Sequence, residues 1–280
     1  MKFEKDSSQG QSMGMNKSEK IIDVLTHNRN AWDKNVADGN CWTMPVSSDE
    51  VNLARQGDFK LVLTPTKPVP REWFPKLQGT PTLCLASGGG QQGPLLAAAG
   101  AEVTVFDNSP EQLKQDAVVA ERDGLDIKTV EGNMVDLSTF DDGSFDLIVH
   151  PCSNCFVPEI LPVWRECYRV LRQGGQLLSG ICNPVRWIFE DSQLNNGVLT
   201  VRYPLPHSDV EDLTDEDRQA RIIDKLDVLE FSHSLDTQIG GQLEAGFVLT
   251  GFYEDRYVGE EDDPLSDYLP TFMATRALKQ

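Results

Sequence analysis

No apolar run in this 280-residue chain approaches the ~20 consecutive residues of a membrane span. The opening stretch, MKFEKDSSQGQSMGMNKSEK, also lacks the apolar core of a secretory leader, so a cytoplasmic protein is expected. Positive charge is scarce: 25 Lys and Arg stand against 44 Asp and Glu, a formal net charge of −19. No basic stripe interrupts that balance, so neither nucleic acid nor a membrane is an expected partner. Cysteine is thin as well. The six (Cys41, Cys84, Cys152, Cys155, Cys167, Cys182) lie partly inside apolar runs, where reduced, buried thiols are the plain reading and no disulfide framework is implied. No internal repeat is visible.

What is present is an alternation of strands and helices. Residues 1–17 are polar and aperiodic and are expected to form a disordered tail. Residues 18–78 read as one amphipathic helix, with Ile21, Val24, Leu25 and Trp32 at helical intervals, followed by an irregular cover whose Trp73 and Phe74 call for burial. From residue 79 to 280 a single domain is expected, with strands at 82–86, 102–106, 127–130, 145–150 and 176–182 and two closing strands in FVLTGFYED and PTFMATRALK. Ser109, Pro110 and Gly124 bracket one connecting helix as N-cap, first residue and C-terminal cap. Such an alternation implies an α/β fold: a doubly wound, mostly parallel sheet with helices on both faces.

The first strand runs into LCLASGGGQQG, three glycines in a row where a parallel sheet binds ligands. Glycine there lets a backbone lie against a bound group. The second strand ends at Asp107, and about 20 residues is the usual offset between such a loop and a carboxylate that grips a ribose. Taken alone, Gly88-Gly89-Gly90-Gln91-Gln92-Gly93 also fits a dinucleotide fingerprint, which keeps a nicotinamide dehydrogenase as an alternative.

Four segments in order (LCLASGGG, VFDNSPEQL, EGNMVDLSTFDDGSFDLIVHPCSN and VWRECYRVLRQGGQLL) resemble the class I S-adenosylmethionine-dependent methyltransferases, from about Thr82 to Gly180. The resemblance implies a seven-stranded Rossmann-like sheet with a reversed last strand, an N-terminal helical cover and a substrate insert at about 184–240. It implies S-adenosylmethionine as cofactor and a small-molecule methyl acceptor as partner, and it leaves the oligomeric state open. Gly88 and Gly90, with Ala86 and Ser87 in the same turn, would face the methionine portion. Asp107 would hold the ribose, Asn108, Asn133 and Met134 would flank the adenine, and His150 would border the methyl-donor end. Three residues depart from the family pattern: Cys84 stands where an acid is frequent, Ala86 where glycine is usual, and Asn133 where aspartate is frequent. Loss of the acid at 84 implies either weaker cofactor affinity or substitute polar contacts from Gln91 and Gln92.

Asn154, Arg186, Trp187, Tyr203 and His233 are the candidate acceptor contacts, with His207 near them and Trp32 as a lid or a core anchor. For His150 a histidine satisfied by backbone bonds is favoured over a general base. Cys152-x-x-Cys155 has no second pair, which argues against zinc or redox chemistry. The acidic runs DVEDLTDED and EDRYVGEEDD are expected to be solvated surface, although they could attract a cation. A protein acceptor is the nearest alternative, and a protein that binds the cofactor without transfer, as a sensor, is another.

Overall fold

A computed structural model describes residues 22–189, 197–258 and 263–280; the expected tail at 1–17 lies outside the described residues. Seven strands, β1 (Pro81–Leu85), β2 (Glu102–Asp107), β3 (Ile127–Glu131), β4 (Phe145–His150), β5 (Leu171–Cys182), β6 (Phe247–Asp255) and β7 (Phe272–Lys279), form one sheet in the order β3-β2-β1-β4-β5-β7-β6. All neighbours pair in parallel except β7, which runs antiparallel to both β5 and β6. The reversed last strand is thus as expected. Chain order switches direction between β1 and β4, which opens a crevice at their carboxyl ends.

The sheet buries both faces. On one side Leu85, Phe106, Ile148 and Leu177 pack with Trp164 and Cys167 of α5 (Leu161–Val170); on the other, Cys84, Val105, Val149 and Leu178 pack with Leu96 of α3 (Gln92–Ala98) and with Trp73 of the cover. Trp73 rests 5.3 Å from the Tyr253 ring, the burial its size demanded. Helix α4 (Pro110–Asp123) begins at Ser109, whose hydroxyl caps Gln112 N, and ends at Gly124 in the left-handed conformation.

Two boundaries differ from expectation. Residues 48–55 are not irregular: Ser48–Arg55 form helix α2, set by a reciprocal capping box between Ser47 and Glu50 that the S-x-x-E spacing encodes. Strand β5 starts at Leu171 instead of Gln176, because Leu171 already pairs with Phe145. The first helix, α1 (Val24–Ala37), joins the region after β5 to make a common cover. Asn28 donates to the carbonyls of Leu229 and Phe156 and accepts from Leu229 N, while Val24 packs on Leu213, Ile222 and Phe231. The acidic run there is only partly surface. Asp209 is 2% exposed and accepts from Glu230 N, so a residue expected in solvent anchors the inner layer of the cover.

Candidate active site

A cavity of about 600 Å³ fills the crevice beneath α1 and the cover, within the ~300–1,000 Å³ span of small-ligand pockets. Ala86, Ser87, Gly88, Asp107, Asn108, Asn133 and Met134 all line it, as do Arg186, Trp187 and Trp32. The two halves of the expected site therefore share one chamber. Trp32 meets Phe156 edge to face at 5.2 Å, and both line the cavity.

At the sheet edge Asp107 accepts from Gly88 N (2.9 Å) through one oxygen and from Ser109 N (3.0 Å) through the other. Burial pushes its carboxyl above the usual range despite those two donors. Beside it, Asn108 Oδ1 and Gln112 Oε1 are buried without a partner among the described residues, on two residues that line the cavity. Buried acceptors left unpaired call for a donor. The hydroxyls and amine of an adenosine are such donors, so this wall fits S-adenosylmethionine.

The glycine loop is ordered by a residue that the sequence reading did not find. Asp116, on α4 and fully buried, accepts from both Gly89 N and Gly90 N at 3.1 Å, and its other oxygen has no partner. Burial first, then the nearby Asp107, push its carboxyl up to about 8, against two opposing N–H donors. Gly93 makes the slot: a Cβ there would lie 3.0 Å from Asp116 Oδ1 and 2.7 Å from Val105. Gly93 thus serves α4 packing and not a phosphate. Cys84, where an acid was missing, is a buried thiol that burial pushes up, with Asp116 as the neighbouring charge. An acid on α4 thus orders the loop that follows β1. Only an acidic residue on the buried face of an otherwise regular helix hinted at it.

Other expectations are corrected. Gly90 does not line the cavity; its carbonyl accepts from Val46 N and a Cβ would strike Pro45, so it seats the cover. Gln91 donates to the carbonyls of Cys41 and Met44, and Gln92 to that of Val62, which ties down the cover while both residues also line the cavity. His150 is fully buried behind the wall, its Nδ1 on Leu85 O (2.8 Å) and its Nε2 against the Asn154 amide (2.5 Å). Burial holds the ring below the ordinary histidine range, and its two contacts make it a structural group. Asn154 sits in that same buried relay, bonded onward to Gln238. His233 faces the carbonyls of Asn154 and Val157, and Tyr203 stacks on His207 at 4.6 Å; none of these lines the chamber. Histidine and tyrosine in those segments follow loops into the core, a path that sequence spacing does not reveal.

Ala86 adopts φ +46°, the left-handed region where a Cβ costs about 1–2 kcal/mol. Its N–H donates to Phe106 O and its carbonyl accepts from Ser153 Oγ, which hold the turn in place. We expect Ala86→Gly to stabilise the fold by about 0.5–1 kcal/mol, after the entropy that glycine loses on folding is deducted. Urea unfolding at constant m checks it, and an unchanged or lowered midpoint refutes it.

The far end of the chamber is lined by Cys152, Cys155, Cys182, Arg186, Trp187 and Glu230. All three cysteines are free thiols. Cys182 is held low by the Cys152 and Cys155 thiols donating to it, aided by Arg186, while burial helps to keep those two donors protonated. Among the described residues no His, Cys, Asp or Glu group is placed to hold a metal ion. Arg186 pairs with Asp263 at 2.9 Å. Trp187 Nε1 donates to Glu230 Oε2 at 2.9 Å.

Comparison with known proteins places this geometry. A family model described as a methyltransferase domain matches residues 83–179. The chain is 51% identical over 258 residues to the "Uncharacterized methyltransferase YbaJ" of Bacillus subtilis (strain 168), covering 91% of this chain and 98% of that protein. An S-adenosylmethionine-dependent methyltransferase from Mesorhizobium loti shares the fold at TM-score 0.56 and 18% identity, over 74% of this chain and 94% of that one. One from Listeria monocytogenes, described as putative, does so at TM-score 0.56 and 16% identity, over 75% and 95%.

Proposed function

From the premise that this chain belongs to the class I S-adenosylmethionine-dependent methyltransferases, we propose that its acceptor is a small molecule held in the covered chamber. The observation that supports this reading is the enclosure itself. Donor wall and acceptor wall share one cavity roofed by α1 and by the region after β5, and a chain of net charge −19 gives a polyanion nothing to rest on.

S-adenosylmethionine supplies an electrophilic methyl on a sulfonium. Asp107 would take the ribose hydroxyls, and Asn108 and Gln112 would accept from the donors beside them. Gly88 presents bare backbone toward the methionine portion, with Asn133 and Met134 beside the base. The rest of the chain's task is positional: a nucleophile held in line under a roof that keeps water out gains most of its rate from orientation.

Purified protein incubated with methyl-labelled S-adenosylmethionine and a protein-free, low-molecular-weight extract is expected to form S-adenosylhomocysteine and a labelled small product. Label absent from that extract but appearing in protein or nucleic acid when a whole-cell lysate is supplied instead would overturn the small-molecule reading.

A further inference from the structure

The acceptor end of the chamber contains one carboxylate in a setting unlike the others. Of the three described acidic side chains that line the cavity, Asp107 is committed to the glycine loop and Glu159 lies exposed at the rim. Glu230 is the third. Trp187 fixes one of its oxygens, Asp209 fixes its backbone N–H, and among the described residues no hydrogen bond is made to the other oxygen. None of the described histidines lines the chamber, so the usual proton acceptor is missing.

The surroundings narrow the acceptor. Trp187, Tyr257 and Phe272 present aromatic walls, with Tyr257 and Phe272 edge to face at 5.4 Å and the Arg186 guanidinium 5.2 Å from the Phe272 centroid. Flat walls favour a flat ligand. Arg186, beside Glu230 and paired with Asp263, steadies an oxyanion as it forms.

Resting on the methyltransferase reading, we propose that Glu230 is the general base of the transfer and that the acceptor is a hydroxylated aromatic molecule, methylated on oxygen. The free Glu230 oxygen takes the hydroxyl proton as the oxygen's electron pair forms the new O–CH3 bond. The methyl–sulfur bond breaks with its pair left on sulfur, so the sulfonium becomes a neutral thioether. Glu230 then releases its proton to water.

Base chemistry needs a group that is ionised in use yet basic enough to take a proton. Burial, then Asp209 and Cys182, push Glu230 up to about 7, opposed by the Trp187 N–H and by Arg186. Turnover is therefore expected to rise with pH through about 7, as the carboxylate forms.

The test compares two probes, phenol and 4-nitrophenol, with methyl-labelled S-adenosylmethionine, and titrates the donor separately. A free phenol ionises near ~10 and needs a base; 4-nitrophenol ionises near neutrality without help. Glu230→Gln is expected to lower turnover of phenol by about 100- to 1,000-fold and that of 4-nitrophenol by under about 10-fold, with donor affinity within about twofold of the unmodified protein. Equal losses on both probes, no loss on either, or a phenol-selective loss in Cys182→Ser instead would overturn it. So would turnover of benzylamine but of neither phenol. Donor binding with no turnover of any probe overturns this inference and leaves the methyltransferase reading standing; absence of donor binding removes both.

Discussion

Asp107→Ala is expected to weaken S-adenosylmethionine and S-adenosylhomocysteine binding by at least about 100-fold in a calorimetric titration, since two hydrogen bonds to a charged group are worth ~1.5–3 kcal/mol each. The substitution acts twice. It removes the acceptor placed at the end of β2, and it frees Gly88 N and Ser109 N, which its two oxygens now hold at 2.9 and 3.0 Å. Folding should survive, because Ser109 still caps α4 through its own hydroxyl and Asp33 still accepts from that hydroxyl at 2.6 Å. Titration with NAD belongs in the same experiment. Donor binding that persists in the variant, or NAD binding in the parent, would show that the ribose lies elsewhere.

The second large effect concerns Asp116. Asp116→Val leaves the Gly89 and Gly90 N–H groups buried and unpaired, at about 1–3 kcal/mol each, so a loss of about 2–6 kcal/mol in stability is expected together with loss of donor binding. Asp116→Asn keeps an acceptor for both groups and reproduces the neutral acid in shape. It should bind the donor much as the parent does. The pH dependence separates a neutral from an ionised carboxyl. A buried acid raised from 3.8 to about 8 holds its proton in the folded state while the unfolded chain has lost it. Its contribution is thus greatest below about pH 4 and declines as pH rises to about 8. Thermal melts from pH 5 to 9 should show the Asn variant gaining on the parent as pH rises. Parallel curves would mean that Asp116 is ionised throughout.

Both residues stand in the stretch from Asp107 to Asp116, yet only the first could be read from the chain. Asp107 follows a strand at a recognisable distance from a glycine run, and that distance is set by the geometry of one strand–helix–strand unit. Asp116 acts across a helix–loop contact, and its partners are backbone groups that carry no sequence signature. The same contrast separates Arg186 and Trp187, which follow β5 directly into the chamber, from Glu230. The latter reaches the cavity only because Asp209 and the bridge of Ser208 to Phe231 fold the region after β5 back over it. His150 shows the converse. It ends β4 at a position that points to the ligand, and the buried carbonyl of Leu85 draws its ring away.

By itself, then, the sequence determined the alternation of strands and helices and the place of Asp107 after a glycine loop, while the reversed closing strand was what the family resemblance implied. The alternation rests on short-range periodicity and on caps such as Ser109 and Gly124, and the place of Asp107 on fixed spacing within one unit. Tertiary structure decided what those elements enclose. It brought Asp116 under the glycine loop, left Asn108 and Gln112 unpaired on the wall, and set Glu230 against Trp187. Contacts between segments tens of residues apart depend on how layers pack, and packing is a property of shape that local pattern does not carry.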